Sequence, residues 1–378
     1  MYATDCRYFQ GYKPCGLSKD CHSGCPHRDV VQQRILLIHL GALGAVLRST
    51  SLLPAIRRRF PRSHLTWVTE APAHQMLLGN PLIDRILTSS FKDILTLQAL
   101  HFDVALVVDK SLQAVGILKN TSYDSVFGFI ADPQTGAIIP ANPQAHELYE
   151  LGLNDEKKFF INIKPETQLL MEALNLGEYQ RDEYQVFLTA QEMEESQRRR
   201  HLWKQNQDQN LIIGLNTGCS PVIPYKKLSV GYHRQLIQAL LRKGFQNIVL
   251  LGGPEDTERN QQIAENLPVI CSATESGLRD GLVSVQACDV IVTGDSLGMH
   301  MGIALKKMVV AWFGPTCAHE IDLYDRGVKI LSEAPCSPCW KRHCQKSTMC
   351  YDQVDLQKII QSIQNFSLKQ KTLVDVCV

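Results

Sequence analysis

No stretch of the chain approaches the roughly eighteen uninterrupted apolar residues of a membrane-crossing helix, so an integral helical membrane protein is not expected. Charge of one sign is missing too: 39 basic residues stand against 38 acidic ones, a formal net charge of +1. That balance argues against a chain whose main work is gripping nucleic acid. The start, MYATDCRYFQ, has neither the basic nor the apolar block of a secretory leader. A cytoplasmic location is therefore expected, with a peripheral seat on the inner membrane as a variant of that reading. There is no short repeat and no low-complexity tract. No strand pattern runs into G-x-G-x-x-G, which weakens the case for a nicotinamide-dependent oxidoreductase.

What is present is enough for two cores. A chain of 378 residues exceeds what one hydrophobic core usually fills, and 44% apolar content can build two. In the first half, RILLIHL, HLTWVTE, RILTS and DVALVVD read as strands, with AVLRSTSLLPAIRRRF and APAHQMLL as helices between them. A looser stretch rich in Pro, Asn and Gly follows, and then the charged run TAQEMEESQRRRHLWKQNQDQN, the best linker candidate. The alternation then restarts with LIIGLNTG, NIVLLGG, DVIVTG and KMVVAWFG as strands. Two successive α/β halves predict parallel sheets with right-handed crossovers and a ligand held in a cleft between two lobes.

Thirteen cysteines without an export signal point to thiols or metal ligands rather than a disulfide framework. Cys6, Cys15, Cys21 and Cys25 lie near the start, and Cys336, Cys339, Cys344 and Cys350 lie near the end. Four thiolates at either place suit a structural zinc, with iron or an iron–sulfur cluster as alternatives and metal-free thiols as the bland reading.

Four loops carry candidate chemistry. The turn in RILLIHLGALGAVLRSTSLLPAI is ordered strand, glycine, helix, the arrangement that offers a helix start to an anion, yet it holds no carboxylate, hydroxyl or lysine. GLNTGCSPVIPYKKLS offers Thr217, Gly218, Ser220, Lys226 and Lys227, either a phosphate cradle or an ordinary strand-end loop. LLGGPEDTERN puts Glu255 past a strand, where it can take ribose hydroxyls or sit as a solvated helix-start carboxylate. IVTGDSLGMHMGIAL sets Asp295 and Ser296 at a helix N-cap with His300 in the first turns, either a pyrophosphate site or a plain cap and a packed histidine. All three later loops fall at strand carboxyl ends of one half.

The succession NTG…K, LLGGPE, TGDSLGMH, FGPT and CSPCWKRHC resembles glycosyltransferase family 9, the heptosyltransferases that take a heptose from ADP-heptose. The resemblance runs from Arg34 onward and implies a GT-B fold, two facing Rossmann-like lobes with an inter-lobe cleft, here behind a cysteine-rich N-terminal extension. It implies an ADP-sugar pocket of Thr217, Gly218, Ser220, Lys226, Glu255, Asp295, Ser296, Leu297, Gly298 and His300. It further implies inverting transfer needing no cofactor, onto a lipopolysaccharide core or another glycan acceptor and with no nucleic-acid partner. In that family the glycine turn usually ends Gly-Asp, and the aspartate is the proposed base. Here Gly44 is followed by Ala45, which cannot accept a proton.

Asp109, at the end of DVALVVD, is the candidate substitute base, and Lys226 the candidate that steadies the leaving diphosphate. Gly44, Ala45 and Arg48 fall on the acceptor side. His39, within the strand before the turn, reads as structural. Arg57, Arg58, Arg59 and Arg62 form a basic run suited to anionic headgroups or to a solvated helix end. A catalytically silent nucleotide-sugar-binding protein is the competing function.

The expected division is an extension at 1–30, an acceptor lobe at 31–188, a linker at 189–210, a nucleotide-sugar lobe at 211–335, and a cysteine loop with a final helix at 336–378.

Overall fold

The computed structural model describes residues 1–204 and 211–376, with side chains to residue 370. Packing divides these residues into two units. Unit 1 comprises Met1–Ala42, Ser49–Asn154 and Thr167–Asp182. Unit 2 comprises Leu43–Arg48, Asp155–Glu166 and Glu183–Val378.

Unit 1 is built on β1 (Gln33–Ile38), β2 (Ser63–Thr69), β3 (Arg85–Thr88), β4 (His101–Val107), β5 (Ser122–Ala131) and β6 (Ile138–Pro140). Their order in the sheet is β3-β2-β1-β4-β5-β6, parallel except for the β5–β6 hairpin. Continuous apolar runs form these strands because helices cover both faces of a parallel sheet. Leu36, Ile38, Val68, Phe102, Ala105 and Val107 bury one face against Leu97, Ala114 and Ile117. The stretch AVLRSTSLLPAIRRRF is two helices, Leu43–Ser49 and Leu52–Arg59, and APAHQMLL contains only a 3₁₀ turn at Ala73–Leu77.

Two arginines of the basic run are paired, while Arg59 and Arg62 are exposed. Arg57 binds Asp84 at 2.8 Å and Arg58 binds Asp182. Asp84 also pairs with Arg7, which bonds Asp29 at 2.7 Å and the carbonyl of Ser63 at 2.9 Å. Through that arginine, and an isolated bridge between Cys6 and Val30, the N-terminal segment is tied to unit 1.

Unit 2 repeats the plan with β7 (Ile213–Asn216), β8 (Ile248–Leu251), β9 (Ile270–Cys271), β10 (Val290–Gly294), β11 (Met308–Phe313) and β12 (Gly327–Leu331). The order is β12-β11-β10-β7-β8-β9, all parallel. Ile213, Leu215, Ile248, Leu250, Val292 and Val310 pack on helix Val230–Arg242 and on Ile359, Ile360 and Ile363 of the last helix. The first part of the expected linker is a helix, Ala190–Trp203, opened by a Thr189–Glu192 capping box. Arg279 binds Glu192 of that helix, and Arg199 binds Asp280, so the segment packs within unit 2. The rest of the linker candidate, 205–210, lies outside the described residues. Among the described residues, no helix is long and apolar enough to cross a membrane.

Candidate functional site

In each sheet the first strand is flanked by strands running off in opposite directions, and ligands of open α/β sheets gather at the carboxyl ends of such switch points. In unit 2 the switch lies between β7 and β10. Asn216, the last residue of β7, donates from Nδ2 to the carbonyl of Gly218 at 2.9 Å, to the Thr293 hydroxyl at 3.2 Å and to the Ser296 hydroxyl at 2.9 Å. Ser296 is the N-cap of helix Leu297–Ala304, but its side chain makes no capping bond. The hydroxyl that would satisfy the helix start is engaged by Asn216 instead, and the start keeps its pull on an anion. Gly298 is needed for this fit, since a Cβ there would come within 2.5 Å of Asn216 Cγ.

Lys226 and Asp295 stand at the same edge with Nζ and Oδ2 3.4 Å apart. Burial opposes ionisation of Asp295, but Lys226, His300, a hydrogen bond from Thr316 and Arg48 together outweigh it and hold the carboxyl below its usual range. His300, one turn into the helix, is 5% exposed. Burial first, and the nearby Arg48 charge second, push its pKa down to about 3, so the imidazole is neutral at physiological pH. Its ring stacks on Tyr184 with centroids 6.0 Å apart, and Nδ1 lies 3.4 Å from the tyrosine hydroxyl. Its other side rests on Gly44, where an added Cβ would meet His300 Cδ2 at 2.5 Å.

Gly44, Ala45 and Arg48 thus pack in unit 2 with the nucleotide-sugar candidates. Arg48 is buried and pairs with Glu166 at 2.6 Å, while its Nε has no hydrogen-bond partner. Glu320, bound to Lys158 at 3.1 Å, is pushed up by burial and by Glu166.

The glycines of these loops also shape the packing beneath the edge. At Gly218 a Cβ would lie 1.7 Å from Asp256 Oδ2, and at Gly252 one would lie 2.8 Å from Asp256 Cβ. These glycines make room for a buried carboxylate that accepts from the Gly253 N–H at 3.0 Å and faces Lys227 at 3.9 Å. Thr217 is fully buried, and its hydroxyl donates to Asn260 and to the Leu251 carbonyl, so only its backbone faces the edge. Arg259 clamps the Thr217 carbonyl at 3.1 Å. Ser220 and Glu255 are exposed on their loops, and Leu297 opens the helix.

Unit 1 has its own switch point between β1 and β4. Asp109 lies two residues past β4 and accepts from the backbone N–H of Leu40 and of Gly41. Burial raises its pKa to about 6 against those two bonds, with Glu70 adding to the rise. Glu70 in turn accepts the Ser89 hydroxyl at 2.7 Å.

Cys336, Cys339, Cys344 and Cys350 line one small pocket with Tyr225, Gly314 and Pro315. A Cβ on Gly314 would come within 2.8 Å of Cys350 Sγ. Burial, then the other three thiols, push Cys350 up to about 11. The donor set suits a thiophilic metal, but among the described residues no three Cys, His, Asp or Glu are arranged as ready ligands, and this applies equally to Cys6, Cys15, Cys21 and Cys25.

Asn216 and Asp256 adjoin residues already singled out, so adjacency could have found them. Tyr184, Glu166, Glu320 and Arg259 carry no motif and appear only once the chain is folded.

Known proteins resemble this chain in sequence and in fold. Over 99 residues the chain is 32% identical to lipopolysaccharide heptosyltransferase 2 of Salmonella typhimurium, covering 25% of this chain and 28% of that protein's length. Two solved structures share the fold: a family 9 glycosyl transferase from Veillonella parvula, with TM-score 0.71, 18% identity and coverage of 90% and 98% of the two chains; and the E. coli ADP-heptose LPS heptosyltransferase II, with TM-score 0.63, 17% identity and coverage of 89% and 99%. The sequence profile of glycosyltransferase family 9 (heptosyltransferase) matches residues 96–350, and the chain belongs to that family.

Proposed function

We propose that the protein transfers a heptose, or a similar sugar, from an ADP-sugar to a lipopolysaccharide core or another cell-envelope glycan. The observation that carries this is the Lys226–Asp295 pair beside the uncapped start of helix Leu297–Ala304. A lysine and a row of backbone N–H groups at one point suit a diphosphate, which is both the ligand's charged part and the leaving group. The ADP-heptose named for the E. coli relative supports the donor, and the lipopolysaccharide activity named for the Salmonella relative supports the acceptor.

In the proposed reaction an acceptor hydroxyl oxygen attacks the anomeric carbon opposite the diphosphate. The carbon–oxygen bond to ADP breaks as the new one forms, and the hydroxyl proton passes to a carboxylate. We assign that proton to Asp109, since Ala45 cannot take it; a pKa near 6 leaves Asp109 ionised at pH 7.5 yet more basic than an ordinary aspartate. Lys226 and the helix start meet the charge developing on ADP. Asp295 orients Lys226, and neutral His300 offers a hydrogen bond to the sugar without adding charge. No cofactor enters these steps. The four thiols around the Gly314 pocket are assigned a structural role, and elemental analysis for zinc and iron in the parent and in Cys339→Ser tests whether a metal completes it.

Ala45 favours a second reading, a nucleotide-sugar-binding protein without turnover. ADP release from ADP-heptose in the presence of a lipopolysaccharide-core acceptor separates the two. Turnover by the parent, reduced about a hundredfold or more in Lys226→Ala, supports the transferase. ADP binding without turnover, together with activity appearing in Ala45→Asp, would establish the silent binder instead.

A further inference from the structure

Large apolar side chains left in water are ordinary when scattered and informative when they adjoin one another. In unit 2 three occur within four residues: Phe160 is 70% exposed, Ile161 63% and Ile163 82%. The segment that carries them is firmly anchored. Phe159 is 5% exposed and pins it from below, Lys158 Nζ binds Glu320 at 3.1 Å, and the Glu166 N–H donates to the Glu320 carbonyl at 2.9 Å. The apolar side chains are thus held outward by an ordered base.

A second loop meets this one. The Lys158 ammonium lies 4.3 Å from the ring centre of Trp340, itself 41% exposed. Exposed Lys341 and Arg342 follow the tryptophan directly. Three protruding apolar residues, an amphipathic indole and two exposed cations are the chemistry of a protein surface that sits in the headgroup region of an anionic bilayer.

We propose that Phe160, Ile161 and Ile163 insert into an anionic lipid surface, with Trp340 at the interface and Lys341 and Arg342 on the headgroups. Charge selects this occupant over a second copy of the chain, because a two-fold contact through the patch would bring the cations of the two copies together. It also selects lipid over a sugar or nucleotide, which would leave three aliphatic and aromatic side chains without apolar partners.

Co-sedimentation of the full chain with vesicles of phosphatidylglycerol and phosphatidylcholine tests this without any sugar substrate, so it can fail while the transferase reading stands, and the reverse. Binding is expected to the mixed vesicles, weakly to phosphatidylcholine alone, and less at high salt. Phe160→Ser/Ile161→Ser/Ile163→Ser should lose at least ~30-fold in partitioning. Lys341→Gln/Arg342→Gln should lose ~10- to 25-fold on mixed vesicles only. ADP binding and thermal melting of both variants establish that they fold. The proposal is overturned if the parent does not bind, if the triple variant binds as well as the parent, or if the parent forms a dimer that the triple variant loses while vesicles stay bare.

Discussion

The carboxyl edges of the two sheets are alike in topology and opposite in chemistry. At the edge of unit 2, Asn216, Lys226, Asp295, His300, Arg48, Glu166 and Tyr184 form a mesh in which most charges have a counter-charge or a hydrogen bond. At the edge of unit 1, Asp109 bonds to backbone, burial raises its pKa, and another carboxylate, Glu70, adds to the rise. A dense, prepaired edge is built to hold something charged in one place. Under the proposed transfer the unit 2 edge takes the charged donor, the unit 1 edge faces the neutral acceptor, and the assignment of the base rests on Asp109.

Asp109→Asn breaks the comparison hardest. If Asp109 is the base, turnover falls ~10³-fold with ADP affinity unchanged. In the parent, kcat/KM should rise as pH passes about 6 and then level off, and the variant should lack that rise. A flat profile in the parent would move the base elsewhere.

Acid titration reads both edges at once. His300 and His233 are depressed to about 3, and His64 to about 4, each mainly by burial. These groups bind protons on unfolding between about pH 6.5 and pH 4, so their share of stability is present above pH 6.5 and lost as pH falls. Asp109 acts with the opposite sign: its raised pKa means the folded state holds the proton more tightly, and stability declines as pH rises from about 4 to about 6. Asp256 and Glu320, whose carboxyls burial also raises, act with the sign of Asp109, against a loss of at most about 1.4 kcal/mol per unit of acidification from each histidine. Chemical denaturation at a series of pH values measures the balance, and in His300→Gln the loss of stability on acidification should shrink by about 1 kcal/mol per pH unit.

The smallest effect belongs to the contact beneath His300. Gly44→Ala drives a methyl to 2.5 Å from the ring, and should cost about 1–3 kcal/mol in unfolding free energy by overpacking. The same change at Gly41, where nothing lies within 4 Å of an added Cβ, should cost less.

Most strands were legible because their apolar runs are long and end in turn residues. β9, only Ile270–Cys271, and β12, with one buried residue in five, carry too little pattern to stand out from loops. The break at Thr50 and Ser51 was hidden by helix periodicity on both sides of it. Lys226, Asp295 and His300 were legible as site candidates because they lie at strand ends in recognisable loops. Thr217 was legible as a residue near the site but not as one whose hydroxyl turns inward, since the partner that draws it, Asn260, is 43 residues away. Asp256 was eclipsed by its neighbour Glu255: only packing decides which of two adjacent carboxylates is buried. Arg48 could be seen as a cation near the turn, but its pairing with Glu166 depends on contact across more than a hundred positions.

The composition of unit 2 also bears on how this chain can be cut. Leu43–Arg48 and Asp155–Glu166 belong to it by packing although both precede the helix Ala190–Trp203 in sequence. A gene split near that helix would yield a C-terminal fragment lacking Arg48, the wall at Gly44 and the partner of Glu320, with the His300 ring uncovered on one side. Neither half of the chain is therefore a transferable module, and domain exchange with a relative would have to carry both short segments along with the part that follows them.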